Sequence, residues 1–140
     1  MDILAELKPL SNSDPNADYQ AGSCNIGPAE IGRRRAGHIG LLATVLLAAL
    51  LWASGAASRL RLALALPASM MAMGYLQAYF RFCAGFGAAG VYNFGALGTR
   101  QTVTDREAQS RDRRKALFVG IASLTSGAGL AVVAAVRPFR

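Results

Sequence analysis

Apolar and polar positions along this chain come in blocks, without the short period of an amphipathic helix or strand. Residues 1–23 are polar: "ILAEL" is cut short by Pro9, and "SNSDPNAD" is turn chemistry, so a flexible tail is expected. The stretch "HIGLLATVLLAALLWASGAA", about 38–57, carries no charge from Ile39 to Ser58. Twenty such residues at about 1.5 Å each cover the roughly 30 Å of a bilayer core, which predicts a first span. "LALALPASMMAMGYLQAYF", about 62–80, predicts a second, with Pro67 expected to kink it near its start. The short link "SGAASRLR" makes the two an antiparallel hairpin. "ALFVGIASLTSGAGLAVVAAV", 116–136, predicts a third. Between the hairpin and the third span lie a glycine-rich, aromatic segment over 82–98 and a hydrophilic linker, "TRQTVTDREAQSRDRRK", expected to turn helical from Asp105. The glycine-rich segment is expected along the membrane surface or against the hairpin, since glycine at that density weakens a helix. The predicted fold class is therefore an all-α membrane protein, a transmembrane helical hairpin plus a third transmembrane helix. It forms one membrane domain over 24–140, with residues 82–115 on one face.

Composition sharpens this picture. The chain is 53% hydrophobic and only 16% charged, where a soluble domain carries about 25% charged residues. The net charge of +7 raises nucleic acid as a partner. The arginines, however, cap apolar blocks and build no reading surface, which argues against it. Eleven of the fifteen Lys and Arg residues fall on the side of the first residues and of 82–115. That bias places the amino terminus in the cytoplasm and the carboxyl terminus outside. Arg33, Arg34, Arg35 and Arg81 are the expected anchoring and orienting charges, with Trp52 and Tyr79 at headgroup level.

Candidate chemistry gathers at the same face. Cys24 and Cys83 flank the hairpin among arginines, and a cationic neighbourhood favours thiolate over thiol. Persulfide or disulfide exchange is one reading of them; small semi-buried side chains are the other. Cys24, His38 and Cys83 are a conceivable soft metal site, though their spacing lacks a paired CxxC and a fourth ligand. Asn25 is a possible cap for a short helix opened by Pro28, in which Glu30 pairs with Arg33 or Arg34. Gln77 is expected to hydrogen-bond between helices. Ser123, Gly127, Ala131 and Ala135 form a small-residue stripe, expected against the hairpin or, as the alternative, against a second chain. No predicted span holds an ionisable residue in its middle, which argues against transport by this chain alone. "GFGAAG" spells a dinucleotide motif without the strand that would give it meaning, and no cofactor is indicated.

"CNIGPAEIGRRRAGHIGLL", a two-helix hairpin and "FRFCAGFGAAGVYNFG" together resemble the small bacterial inner-membrane proteins of the DUF2892 type. Asn25, Gly27, Glu30, Arg33 or Arg34, Gly37 or Gly40, and Cys83 occupy the places of that pattern, over about residues 24–98. Ala84 stands where the family usually has proline, and the third span with its charged linker is extra. The resemblance implies the bacterial inner membrane as location. Because such a hairpin is joined to a sulfurtransferase domain in some members, it also implies a possible thiol relay at Cys83. The expected function is that of a small integral membrane protein without catalytic activity, an accessory or structural subunit that associates with itself or with a larger membrane complex, its other partner being the lipid bilayer. The alternatives are a membrane thiol protein using Cys83 and Cys24, and metal or haem handling at the cytoplasmic face.

Overall fold

A computed structural model describes residues 19–137. Most of the expected tail, and the end of the chain from residue 138, lie outside the described residues. The protein is mostly helical, about 70% by residue. The order is α1 (Pro28–Arg34), α2 (Gly37–Ala53), a 3-10 helix (Ser58–Leu64), α3 (Ala65–Tyr79), α4 (Ala84–Ala89), β1 (Val91–Tyr92), β2 (Gln101–Thr102) and α5 (Arg106–Val136). The run Pro28–Ala53 and α5 are long and apolar enough to cross a membrane.

α1 begins with Pro28 in its first turn, where a missing N–H costs nothing. Its N-cap, however, is Gly27 without a side-chain cap. The stretch expected as a single second helix divides in two. Residues up to Leu64 wind as a 3-10 helix, and α3 starts at Ala65. Pro67 therefore sits in the first turn of α3, where no intrahelical donor is lost and no kink is needed. From Arg106 on, the hydrophilic linker and the third apolar block form one continuous helix, α5. Asp105 caps it by accepting from the amides of Glu107 and Ala108.

α3 runs between α2 and α5, and small residues set the spacing. A Cβ on Gly40 would fall 2.6 Å from the Met71 amide nitrogen, and one on Gly127 would fall 2.7 Å from the Ala65 carbonyl oxygen. Backbones this close exclude any larger residue. Ser123, Gly127 and Ala131 are buried, with Gly127 against Ser69 and Ala65. The stripe ends on Ala134, while Ala135 is half-buried. Steps of four residues overshoot the helical repeat of 3.6, so a step of three restores the face. At the far end, Leu64, Ala131 and Ala134 gather Leu47, Leu51 and Trp52 around them.

The glycine-rich segment does not simply lie along a surface. α4 ends at Gly90 in the left-handed conformation (φ 71°), and the chain reverses into β1. β1 pairs antiparallel with β2 through Val91–Thr102 and Tyr92–Gln101. This two-residue ladder, with the isolated bridges Gln20–Cys24 and Ile26–Asn93, departs from an all-α fold. With α1, α4 and residues 19–27 it forms a polar cap over one end of the bundle.

The last residues of the tail are docked. The Tyr19 hydroxyl donates to Asp112 Oδ2 and the Gly22 amide to Asp112 Oδ1, both at 2.7 Å. Asp112, fully buried on α5, thus straps residues 19–22 to the cap. Tyr19 also stacks on Tyr92, with centroids 4.7 Å apart.

Candidate functional site

The cap's interior is a hydrogen-bonded polar network. Asn25, 0% exposed, joins two segments far apart in the chain. Its Oδ1 accepts from the Cys83 amide at 2.7 Å and its Nδ2 donates to the Cys83 carbonyl at 3.1 Å. The side chain thus pairs with Cys83 as a neighbouring strand would, and it does not cap α1. Asn25 and Ile26 donate their own amides to the Arg81 carbonyl, and Gly27 donates to that of Asn93. Asn93 Nδ2 donates to Glu30 Oε1 at 3.2 Å, and Glu30 Oε2 lies 3.5 Å from Arg34 Nη2. The expected pairing of Glu30 is made with Arg34, one turn on; Arg33 is exposed.

Arg34 Nη2 also donates to Cys83 Sγ at 3.0 Å, and the Phe86 amide approaches the same sulfur at 3.5 Å. Cys83 is 4% exposed, so its thiol is held inside the network. Cys24 is half-buried on the outside of the cap, and the two cysteines are not disulfide-bonded. His38 is exposed on α2 and hydrogen-bonds Tyr75 across to α3 at 2.6 Å. Cys24, His38 and Cys83 therefore serve three different places. Among the described residues, no group of three or more His, Cys, Asp or Glu could hold a metal ion. The expected metal site is not formed: the Cys83 thiol is drawn to Arg34 and His38 to Tyr75.

Gln77 is buried, but its Oε1 accepts from the Ala84 amide at 3.1 Å. It satisfies the start of α4 and does not bond to another long helix. Trp52 and Tyr79 stand at opposite ends of the hairpin, Tyr79 80% exposed and Trp52 half-buried.

Three features escaped the sequence reading. Arg61, expected in an exposed link, is 1% exposed. Its Nη1 donates to the carbonyls of Ala134 (3.2 Å) and Arg137 (2.9 Å), and its guanidinium lies 5.3 Å from the centre of the Trp52 ring. A cation at the carboxyl end of α5 meets both its unpaired carbonyls and its dipole. The second is Asp112, whose signal was its place as the lone acid within "RDRRK".

The third is Arg81. α3 closes in a Schellman motif: Phe82 N–H donates to Gln77 O and Arg81 N–H to Ala78 O. Arg81 occupies the left-handed position, φ 51°, that glycine normally takes. Beside it opens a cleft of about 810 Å³ lined by Cys24, Pro28, Gly32, Arg35, Arg81 and Phe94 among others.

The chain matches none of the family models, curated proteins or solved structures with which it was compared.

Proposed function

We propose that this chain is a small integral membrane protein of the bacterial inner membrane, without catalytic activity, that serves as an accessory or structural subunit. One observation supports the reading above the others: apolar and polar side chains have changed places relative to a water-soluble fold. Leu41, Leu42, Val45, Leu46 and Leu50 on α2, and Leu117, Ile121, Leu124 and Val133 on α5, are exposed. Asn25, Glu30, Arg61, Gln77, Asn93, Asp112 and Ser123 are buried. Only 17% of the apolar window of Pro28–Ala53 and 28% of that of α5 is buried, whereas a core helix of a soluble protein is covered on most sides. Contiguous apolar faces of this extent are unfavourable in water and suited to lipid.

On this reading the hairpin of α2 and α3 and the apolar part of α5 cross the bilayer. α3 reaches depth with help from the 3-10 helix, since its fifteen residues span only about 22 Å. The cap, with Arg33, Arg34, Arg35 and Arg81, then faces the cytoplasm, and the carboxyl terminus lies outside. The basic first turns of α5 and the glycine-rich segment offer the partner-facing surface, toward another copy or a larger complex. Burial of Cys83 among Asn25, Arg34 and the Phe86 amide favours a structural role for it over sulfur transfer.

The test is fractionation and topology. The chain should stay with membranes through a high-salt and urea wash and leave them only with detergent. A reporter fused to its carboxyl terminus should read outside. Recovery in the soluble fraction, without detergent, would overturn the reading.

A further inference from the structure

We infer that the cleft between α1, the end of α3 and Phe94 is a binding site for the phosphate group of an anionic phospholipid, clasped by Arg35 and Arg81. The inference rests on the membrane reading above and names a ligand for one site within it.

The first argument is charge. Arg35 and Arg81 both line the cleft, and among the described residues no carboxylate does. The nearest acid along α1, Glu30, is buried and committed to Asn93 and Arg34. Neither the Arg35 nor the Arg81 guanidinium has an ion pair or hydrogen bond among the described residues. Elsewhere in the molecule, Arg34, Arg61 and Arg111 are engaged. Two arginines lining one concavity, neither engaged by another described residue, suit the oxygens of a phosphate ester.

The second argument is conformational. Arg81 holds the left-handed position of a Schellman motif, where glycine is favoured and a side chain is strained. A need for positive charge at this end of the hairpin does not explain that choice, since the exposed position of Tyr79, two residues earlier, could carry it. An arginine here puts a guanidinium at the cleft, and strained residues of this kind gather at binding sites. The backbone is pinned by the Asn25 and Ile26 amides on the Arg81 carbonyl.

The third argument is position and shape. Arg35 lies two residues before the start of α2 and Arg81 two residues after the end of α3, so the cleft sits where the apolar helices end. That is the level of lipid phosphates if those helices cross a bilayer. On α1, Gly32 leaves the wall open, for a Cβ there would meet nothing within 4 Å. Pro28, Ile31 and Phe94 supply apolar walls for the glycerol and upper acyl chain.

Cys24, half-buried in the same lining, provides a reporter, and buried Cys83 an internal reference. The full chain is reconstituted into phosphatidylcholine nanodiscs with increasing phosphatidylglycerol. Labelling of Cys24 by the neutral reagent N-ethylmaleimide is then timed by peptide mass. Phosphatidylglycerol should slow labelling several-fold. Arg81→Gly, which suits the backbone, should remove most of that protection, since loss of one charge-assisted contact weakens binding about tenfold. Adding Arg35→Gln should abolish it. Removing equal charge elsewhere, by Arg100→Gln with Arg111→Gln, should leave it intact.

Labelling indifferent to phosphatidylglycerol, or protection that survives in Arg35→Gln/Arg81→Gly, would overturn the site. Protection in neutral detergent by glycerol 3-phosphate but not by phosphatidylglycerol would overturn the lipid assignment in favour of a soluble phosphate ester. Co-flotation with vesicles is measured on the same preparation. A chain that floats but shows no protection fails the site alone, whereas one that does not float fails the membrane reading too.

Discussion

The bundle and the cap solve opposite packing problems with one chain. In the bundle, leucine, isoleucine and valine face outward, while the close contacts between helices are made by Gly37, Gly40, Gly74, Ser123, Gly127 and Ala131. In the cap, the outward positions are mostly arginines and small residues, and the interior joins a network of Asn25, Glu30, Asn93 and Asp112 to a small apolar cluster of Tyr92, Val103 and Ala108. Apolar content cannot tell the inside of the bundle from its outside. Backbone approach decides there, because dispersion contacts accumulate only where surfaces meet. In the cap, partners for buried polar groups decide, because each one left unmet costs about 1–3 kcal/mol. Shape holds one end of the molecule and hydrogen-bond satisfaction the other.

The sharpest way to break this contrast is to enlarge a small residue in the bundle. Gly127→Leu should cost about 3 kcal/mol or more, since its side chain would enter the Ser69–Ala65 backbone of α3. Gly129→Leu, where a Cβ meets nothing within 4 Å, should be neutral or slightly stabilising. Thermal unfolding in mild detergent measures both, and equal effects would show that close approach does not hold the bundle.

In the cap, Asp112→Ala should cost about 1–3 kcal/mol by orphaning the Tyr19 hydroxyl and the Gly22 amide. It should also free residues 19–24 to early proteolysis, with α2 and α5 still helical by circular dichroism. Unchanged protease resistance would mean that the strap is held by stacking on Tyr92 alone.

The same contact predicts a response to alkali. Partial burial of Tyr19, and then its hydrogen bond to Asp112, raise its phenol well above the usual value. The folded chain therefore holds this proton more tightly than the unfolded chain. The resulting stability is complete below pH about 10 and is lost as pH rises past the ordinary tyrosine range. Melting temperature followed upward from pH 9 should fall in wild type, with that component missing in Tyr19→Phe. Parallel curves for the two would remove Tyr19 as the cause.

Two smaller effects follow at helix ends. Asp105→Ala removes the cap of α5 and should cost about 1 kcal/mol, read as faster amide exchange at Glu107 and Ala108. Arg81→Gly should stabilise the fold by up to about 1 kcal/mol, by placing glycine at a left-handed position. Destabilisation by that change would show that the Arg81 side chain supports the fold itself.

Much of the architecture was legible in the sequence. The apolar blocks marked the helices, Asp105 marked the start of α5, and Pro28 marked the start of α1. A helix is a local object: its backbone bonds close within four residues, and a run of apolar side chains declares it without reference to the rest of the chain. The break between the 3-10 helix and α3 was harder to see, because "SRLRLALALP" reads as helix throughout.

The candidate site was legible only in part. The gathering of Cys24, Arg34, Arg35 and Cys83 at one face was expected from the order of the apolar blocks, but their roles were not. Asn25 and Cys83 are 58 residues apart, Arg61 and Ala134 are 73, and Tyr19 and Asp112 are 93. Asn25 next to Pro28 looks like a helix cap until the Cys83 backbone is brought alongside it. Cys24 and His38 look like partners for Cys83 until Arg34 and Tyr75 take their places. Hydropathy and helix-end chemistry are properties of a few neighbouring residues, and the sequence by itself determined what depends on them: where helices run and which end of each is basic. Whether a given polar side chain is buried, and against what, depends on segments that meet only on folding, so the tertiary structure alone decided the network, the strap and the cleft.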